Sequence, residues 1–212
     1  MKSLRSLQEI IFPVRCLGCS ALGLEICSQC RSKWSPHIYR SWSRTAPYFP
    51  IFSSIQYSTV ASKVLLAAKE NNIKLADDLL VQALQKSFHF CAKERGVGLL
   101  VPIPSRHAVA RSRGRQFITE LSLQLSKSTG METVESLSHI RKVRDQSSLA
   151  AKQRLVNIEG SMKSLRYLSE KVILVDDLVT TGATLYEGAR ALRENGVEVI
   201  AAVTACVAEP LR

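Results

Sequence analysis

The sequence predicts an α/β protein, a parallel sheet flanked by helices, with a small cysteine-rich module in front of it. Three observations predict this. Residues 172–175 read VILV, with no polar residue on either face, as a central parallel strand buried on both sides requires. Strand-like and helix-like stretches alternate: GLLV then ITELSLQLSKST, VILV then TGATLYEGARALRE, then VEVIAAVTACV. Four of the six cysteines fall in one stretch, CLGCSALGLEICSQC.

The first residues, MKSLRSLQEIIFP, place Leu4, Leu7, Ile10 and Ile11 at helical spacing. A short amphipathic helix is expected there. A cleavable signal needs a longer apolar core than Ile10 to Phe12 provides. Cys16, Cys19, Cys27 and Cys30 follow as C-x2-C, seven residues, C-x2-C. Two-residue spacing turns both sulfurs of a knuckle toward one ion, and two knuckles complete a tetrahedral thiolate site for structural zinc. Four protein thiolates leave no open position for catalysis. Residues 1–45 are expected to hold the helix, the zinc module and a linker, and 46–212 the main domain. Trp34, Tyr39 and Trp42 suit packing of the module onto that domain, or stacking on nucleic-acid bases.

From residue 55 the texture becomes helical, with a break at Asn71 and Asn72. Val97 to Val101 reads as a buried strand stopped by Pro102 and Pro104. A helix ends near Gly130, and residues 131–140 hold a short strand. Residues 141–161 are polar and basic, fitting a loop that closes over a site plus part of a helix. The VILV strand is expected to end at Asp176. A helix stopped by Gly196 and a last strand follow. Cys91 and Cys206 stand alone and read as buried small apolar residues. His89 and His107 have no metal-like spacing.

The net charge is +11, with arginines gathered at 106, 111, 113 and 115 and again at 141, 144 and 154. Such clusters suit phosphates, on a small ligand or on a nucleic acid. Hydrophobic residues make up 46%, enough for a real core, yet no apolar run reaches 18 residues. No transmembrane helix is expected. The reading is cytoplasmic, peripheral to the inner membrane only through partners.

The most informative stretch is VILVDDLVTTGATL, residues 172–185. In an open parallel sheet, ligands bind at the carboxyl ends of the strands. Asp176 and Asp177 sit at that end. Thr180, Thr181, Gly182, Ala183 and Thr184 then lead into a helix, whose free N–H groups favour an anion. The carboxylates cannot share that phosphate, but they can take hydroxyls. A sugar phosphate satisfies both, with its phosphate in the loop and its ribose hydroxyls on the aspartates. Neither a P-loop nor a G-x-G-x-x-G motif is present.

This stretch resembles the 5-phosphoribosyl 1-pyrophosphate (PRPP) motif of type I phosphoribosyltransferases. With the cysteine module in front, the chain resembles the competence protein F (ComF) family. VPIPSRHAVARSRGRQ is similar to that family's strand and arginine-glycine loop. RKVRDQSSLAAKQRLVNIEGSM resembles its segment of spaced Arg141, Arg144, Gln146, Leu149, Arg154 and Asn157. The resemblance implies a phosphoribosyltransferase fold with an N-terminal zinc module, in proteins linked to DNA uptake during natural transformation. It implies a ribose on Asp176 and Asp177, its 5-phosphate on 180–184, and pyrophosphate with Mg2+ near the loop after Pro104. Arg113, Arg115, Arg141, Lys142, Arg144 and Arg154 are the candidates for pyrophosphate or a DNA backbone. One departure is present: where the family has Arg-Gly-Phe-Asn-Gln, this chain has Arg113-Gly114-Arg115-Gln116-Phe117.

Two functions follow as expectations. In the first, a PRPP-binding protein handles single-stranded DNA beside the competence machinery. In the second, a transferase displaces pyrophosphate from PRPP with a nitrogen nucleophile. Base-accepting superfamily members often carry an acid in the phosphate loop, where this chain has Thr180. No other residue declares itself as a general base, so the charge and the missing acid favour the first.

Overall fold

A computed structural model describes residues 14–43, 48–141 and 157–208. The expected N-terminal helix, most of the 141–161 segment and the proposed division after residue 45 lie outside the described residues. So do Lys142, Arg144, Gln146, Leu149 and Arg154.

A five-stranded sheet forms the centre, in the order β1-β2-β7-β6-β3. These strands are β1 (Tyr39–Trp42), β2 (Pro50–Gln56), β3 (Leu99–Pro102), β6 (Val172–Val179) and β7 (Val199–Val207). All neighbours are parallel except β1, an antiparallel edge. Neither β1 nor β2 was legible as a strand. Ser53 and Ser54 in β2 look like linker residues but are fully buried and satisfied. Ser53 exchanges a 2.6 Å hydrogen bond with Thr204 of β7, and Ser54 donates to the Ala83 carbonyl at 2.8 Å.

The side-chain alternation of β6 explains the layers. The short helix α1 (Ser28–Lys33) belongs to the cysteine module, and Ile173 and Val175 join the cluster under helices α2 (Thr59–Lys69), α3 (Lys74–Arg95) and α5 (Phe117–Thr129). Val172 and Leu174 join the opposite cluster, under α6 (Ala183–Glu194). On that side a separate antiparallel pair, β4 (Leu137–His139) and β5 (Met162–Ser164), packs on α6. Buried Glu187 of α6 ties it down by accepting the Met162 N–H at 2.8 Å, while Arg190 donates to the Met162 carbonyl. The break between α2 and α3 falls where expected, with Asn72 left-handed at φ 52°. Gly130 at φ 72° ends α5 as expected. Among the described residues no helix is long and apolar enough to cross a membrane.

Two boundaries differ from expectation. β3 starts at Leu99 and includes Pro102, which lies on the sheet edge and owes no ladder donor. β6 does not end at Asp176 but runs on to Val179, because β7 keeps pairing with it up to Val207. β3 pairs only as far as Pro102 opposite Val175. Both aspartates therefore project from a strand that has lost its neighbour on one side. There the cleft opens.

Candidate functional site

The cleft holds about 680 Å³. Asp176 and Asp177 lie in its floor, with Thr180 and Thr184 beside them. Pro104, Ser105 and Arg106, just after β3, face them together with Arg113 of α4 (His107–Arg113). Lys69, Tyr57 and His139 complete the polar lining. The sequence-predicted residues do not all act alike. Gly182 is left-handed at φ 75° and starts α6, which an L side chain would resist. The Ala183 N–H donates to the Thr181 hydroxyl at 3.4 Å, so Thr181 shapes the turn rather than facing the cleft. Ala183 itself is buried.

Two adjacent carboxylates at the end of a buried strand need help. The Asp177 N–H donates to Asp176 Oδ1 at 2.9 Å. Burial first, and the Asp177 charge second, push the Asp176 carboxyl well above the usual range. Lys69, the last residue of α2, forms an ion pair with Asp177. Burial alone would lower the Lys69 ammonium, but Asp177 outweighs it and Asp176 adds to the effect, so the ammonium is held above its ordinary value. The floor of the cleft thus sets two adjacent acidic side chains beside the Lys69 ammonium.

A pH dependence follows. Folding raises the affinity of Asp176 for its proton. Below an unfolded value of about 4 both states are protonated and nothing is lost. Above it, the unfolded state gives up the proton first, and stability falls until the folded carboxyl also titrates. Asp176→Asn should therefore melt higher than the ligand-free wild type at neutral pH, with the gap closing toward pH 3. A calorimetric series across pH checks this; a gap that stays constant would refute it.

Lys69 and His139 escaped the sequence reading. A lysine ending a helix looks like a surface charge complementing the dipole. His139 reaches the cleft because β4 packs over it, its Nε2 lying 3.2 Å from the Pro104 carbonyl; nothing local in sequence signals that.

Arg115 is a correction. It does not line the cleft. Its side chain is 7% exposed and holds Asp77 of α3 with two 2.9 Å hydrogen bonds. It also contacts Asn72 and Glu120 and lies 4.9 Å over the Phe117 ring. The departure from the family's loop pattern is thus a structural clamp between α3 and α5. Arg113 does reach the cleft and pairs with Glu70 at 2.6 Å. Arg141 lies at neither site and donates to the carbonyls of Asn157 and Glu159. His89 is exposed, whereas Cys91 and Cys206 are fully buried, as expected for small apolar residues.

The second site is the cysteine module. The Sγ atoms of Cys16, Cys19, Cys27 and Cys30 all lie within 4.8 Å of one another. Backbone N–H groups gather around the first sulfur, and the Cys27 N–H donates to Cys16 Sγ at 3.3 Å. Burial opposes a Cys16 thiolate, but the N–H groups of Cys27, Cys19 and Gly18 outweigh it and bring the thiol down to about 6. Burial and the neighbouring sulfurs push Cys30 up to about 12. A divalent cation would resolve this conflict by stabilising all four thiolates. A side chain at Gly18 would put its Cβ 2.6 Å from Cys30 Sγ, so only glycine lets the knuckle close. The donor set fits structural zinc. The module is no separate bead: Cys16, Ile26, Cys30 and Trp34 share one buried cluster with Val60, Ala61 and Val64 of α2. Trp34 is thus a packing residue, whereas Trp42 stays 42% exposed beneath the Arg40 guanidinium.

Residues 109–210 match the family described as phosphoribosyl transferase domain. Competence protein F of Haemophilus influenzae is 32% identical over 106 residues, 48% of this chain and 46% of that protein. The match thus spans about half the length of this curated relative. Among solved structures, adenine phosphoribosyltransferase from Giardia lamblia superposes with a TM-score of 0.42 at 15% identity, covering 81% of this chain and 94% of the other. The Leishmania tarentolae enzyme gives 0.40 at 11%, covering 87% and 88%. Likenesses this distant carry no functional weight. Strands β6 and β7 and the aspartates that floor the cleft thus fall within a stretch similar to the phosphoribosyl transferase domain family, and about half of the chain is similar to competence protein F.

Proposed function

We infer that the cleft binds PRPP or a closely related sugar phosphate, and that the protein serves DNA uptake by handling single-stranded DNA. The observation that carries the first part is the union of Asp176 and Asp177 with Thr180 and Thr184 in one cleft. The ribose hydroxyls take the two aspartates. The 5-phosphate sits against the turn that Gly182 opens into α6. Arg106 and Arg113 face this pair across the cleft, on the side where a pyrophosphate would lie. Mg2+, carried in by the diphosphate, would neutralise that group. The DNA role rests on the net charge of +11 and on exposed Trp42 with Arg40 beside it, a pairing that suits an unstacked base and its phosphate.

A transferase reading has His139 in its favour. The imidazole lines the same cleft beside the Pro104 carbonyl and would meet a nucleophile that enters there. Pyrophosphate release that depends on an added nitrogen base would establish it.

The test is a melting series with PRPP and Mg2+. At about 100 times its dissociation constant a ligand stabilises by about 2.7 kcal/mol. For a chain this size that is roughly 5–10 °C. The wild type should show the shift and Asp176→Asn/Asp177→Asn should not. An unshifted wild type would remove the PRPP reading. Single-stranded DNA affinity, measured over a salt series, should fall steeply with salt; weak or salt-insensitive binding would remove the DNA part.

A further inference from the structure

Helix α2 touches both sites. Its first turns carry the zinc module. Val60 Cγ1 lies 3.2 Å from where a Gly18 Cβ would stand, against the same knuckle that packs on Cys30. Lys63 donates from Nζ to the Gly18 carbonyl at 2.8 Å, inside the first C-x2-C loop. Val60, Ala61 and Val64 are buried with Cys16 and Cys30. Its last residue is Lys69, whose ammonium pairs with Asp177 in the cleft. From Val60 to Lys69 an α-helix rises by roughly 14 Å. It is a short, stiff rod capped at its start by the Ser58 hydroxyl, which accepts the Ala61 N–H.

We propose that Lys69 is a positioning residue, holding the Asp176–Asp177 pair ready for a ribose diol. The zinc module sets its place through helix α2, so zinc loading and sugar-phosphate binding are thermodynamically linked. The inference rests on the sugar-phosphate reading of the cleft and adds a regulator to it.

The physical case has three parts. Two neighbouring carboxylates in a buried floor repel each other unless a cation stands close, and Lys69 provides one. Its reach is fixed by the helix, because an ammonium held at a helix end moves with that end. The helix is seated in the main core through Leu65, Ala67 and Ala68, and at its first turns the knuckle adds a second seat, with the Gly18 carbonyl gripped by Lys63. When the thiolates lose their ion the knuckle relaxes, the first turns of the helix lose that second seat, and Lys69 is held less firmly against Asp177. Linkage makes the effect reciprocal: a ligand that locks the floor also tightens the zinc site.

The experiment reads zinc affinity, not turnover. Zinc-loaded full-length protein is titrated with a chromophoric chelator, with and without ribose 5-phosphate. That probe lacks the pyrophosphate that would itself bind zinc. Its binding is measured by calorimetry in the same buffer. In the wild type, ribose 5-phosphate should raise the apparent zinc affinity roughly tenfold. Lys69→Met should keep its zinc, yet show less than about a twofold effect of the sugar phosphate. Lys63→Met should bind both zinc and sugar phosphate and still lose the linkage, as the tie predicts. A wild type that binds the sugar phosphate with unchanged zinc affinity overturns the inference, as does full linkage in Lys69→Met. A wild type that binds neither ribose 5-phosphate nor PRPP overturns the cleft reading, and the linkage with it.

Discussion

Cys30→Ala should release the metal and lower the melting temperature by roughly 10–20 °C. Structural zinc sites contribute about 10–16 kcal/mol to the folding of isolated zinc-finger peptides near neutral pH. Here the loss is not confined to the module. Cys16, Cys30 and Trp34 share a buried cluster with α2, so an opened knuckle exposes apolar surface belonging to the main domain. A realised cost of about 5 kcal/mol gives a shift of that size for a chain of this length. Metal analysis together with calorimetry checks it. Cys91→Ala is the control. It removes an equally buried cysteine from α3, leaves the zinc content unchanged and costs about 1–2 kcal/mol. A zinc-free Cys30→Ala protein melting with the wild type would show the cluster to be ornamental.

Asp77→Ala should be nearly as severe, for a different reason. Arg115 is 7% exposed and, from its position over Phe117, donates two hydrogen bonds to the Asp77 carboxylate. Among the described residues, removing the acid leaves the buried guanidinium only the half-exposed Glu120, at 3.3 Å, as a charged partner, which costs about 3–5 kcal/mol, or roughly 10 °C here. Replacing both partners with apolar groups, as Asp77→Leu/Arg115→Met, should restore most of the loss, because no charge is then left unpaired. The double variant should also bind the cleft ligand within about twofold of wild type. A tenfold loss of ligand in a stable double variant would return Arg115 to the pyrophosphate site that the sequence suggested for it.

Arg115 shows why part of the site was not legible. A sequence displays a charge but not its partner, and Asp77 lies 38 residues away on another helix. In the loop SRHAVARSRGRQ, Arg113 and Arg115 look equivalent. The left-handed turn at Gly114 sends one to the cleft and the other inward. Lys69 was missed for the converse reason: a lysine among KENN reads as a solvated helix end, and only the fold brings it to Asp177. What could be read was local. VILV needs burial on both faces wherever it sits, the TTGAT turn carries its own backbone chemistry, and doubled C-x2-C fixes a ligand set by spacing alone. The strand β2 was hidden because the burial of Ser53 and Ser54 depends on hydroxyls satisfied by Thr204 and Ala83, partners supplied by distant chain.

The strand order has a kinetic consequence. β2, near the start of the chain, pairs in parallel with β7, near its end, and β7 alone joins the β1–β2 pair to β6 and β3. During synthesis every earlier element emerges before the strand that joins them. Long-range parallel pairings of this kind carry a high loop-closure cost and fold slowly. Until β7 is made, β2 and β6 each present an open edge, and the cysteine module has only a half-built surface to dock on. The nascent chain is therefore aggregation-prone until its last strand arrives, and metal capture by the early cysteines cannot by itself commit the protein to its fold.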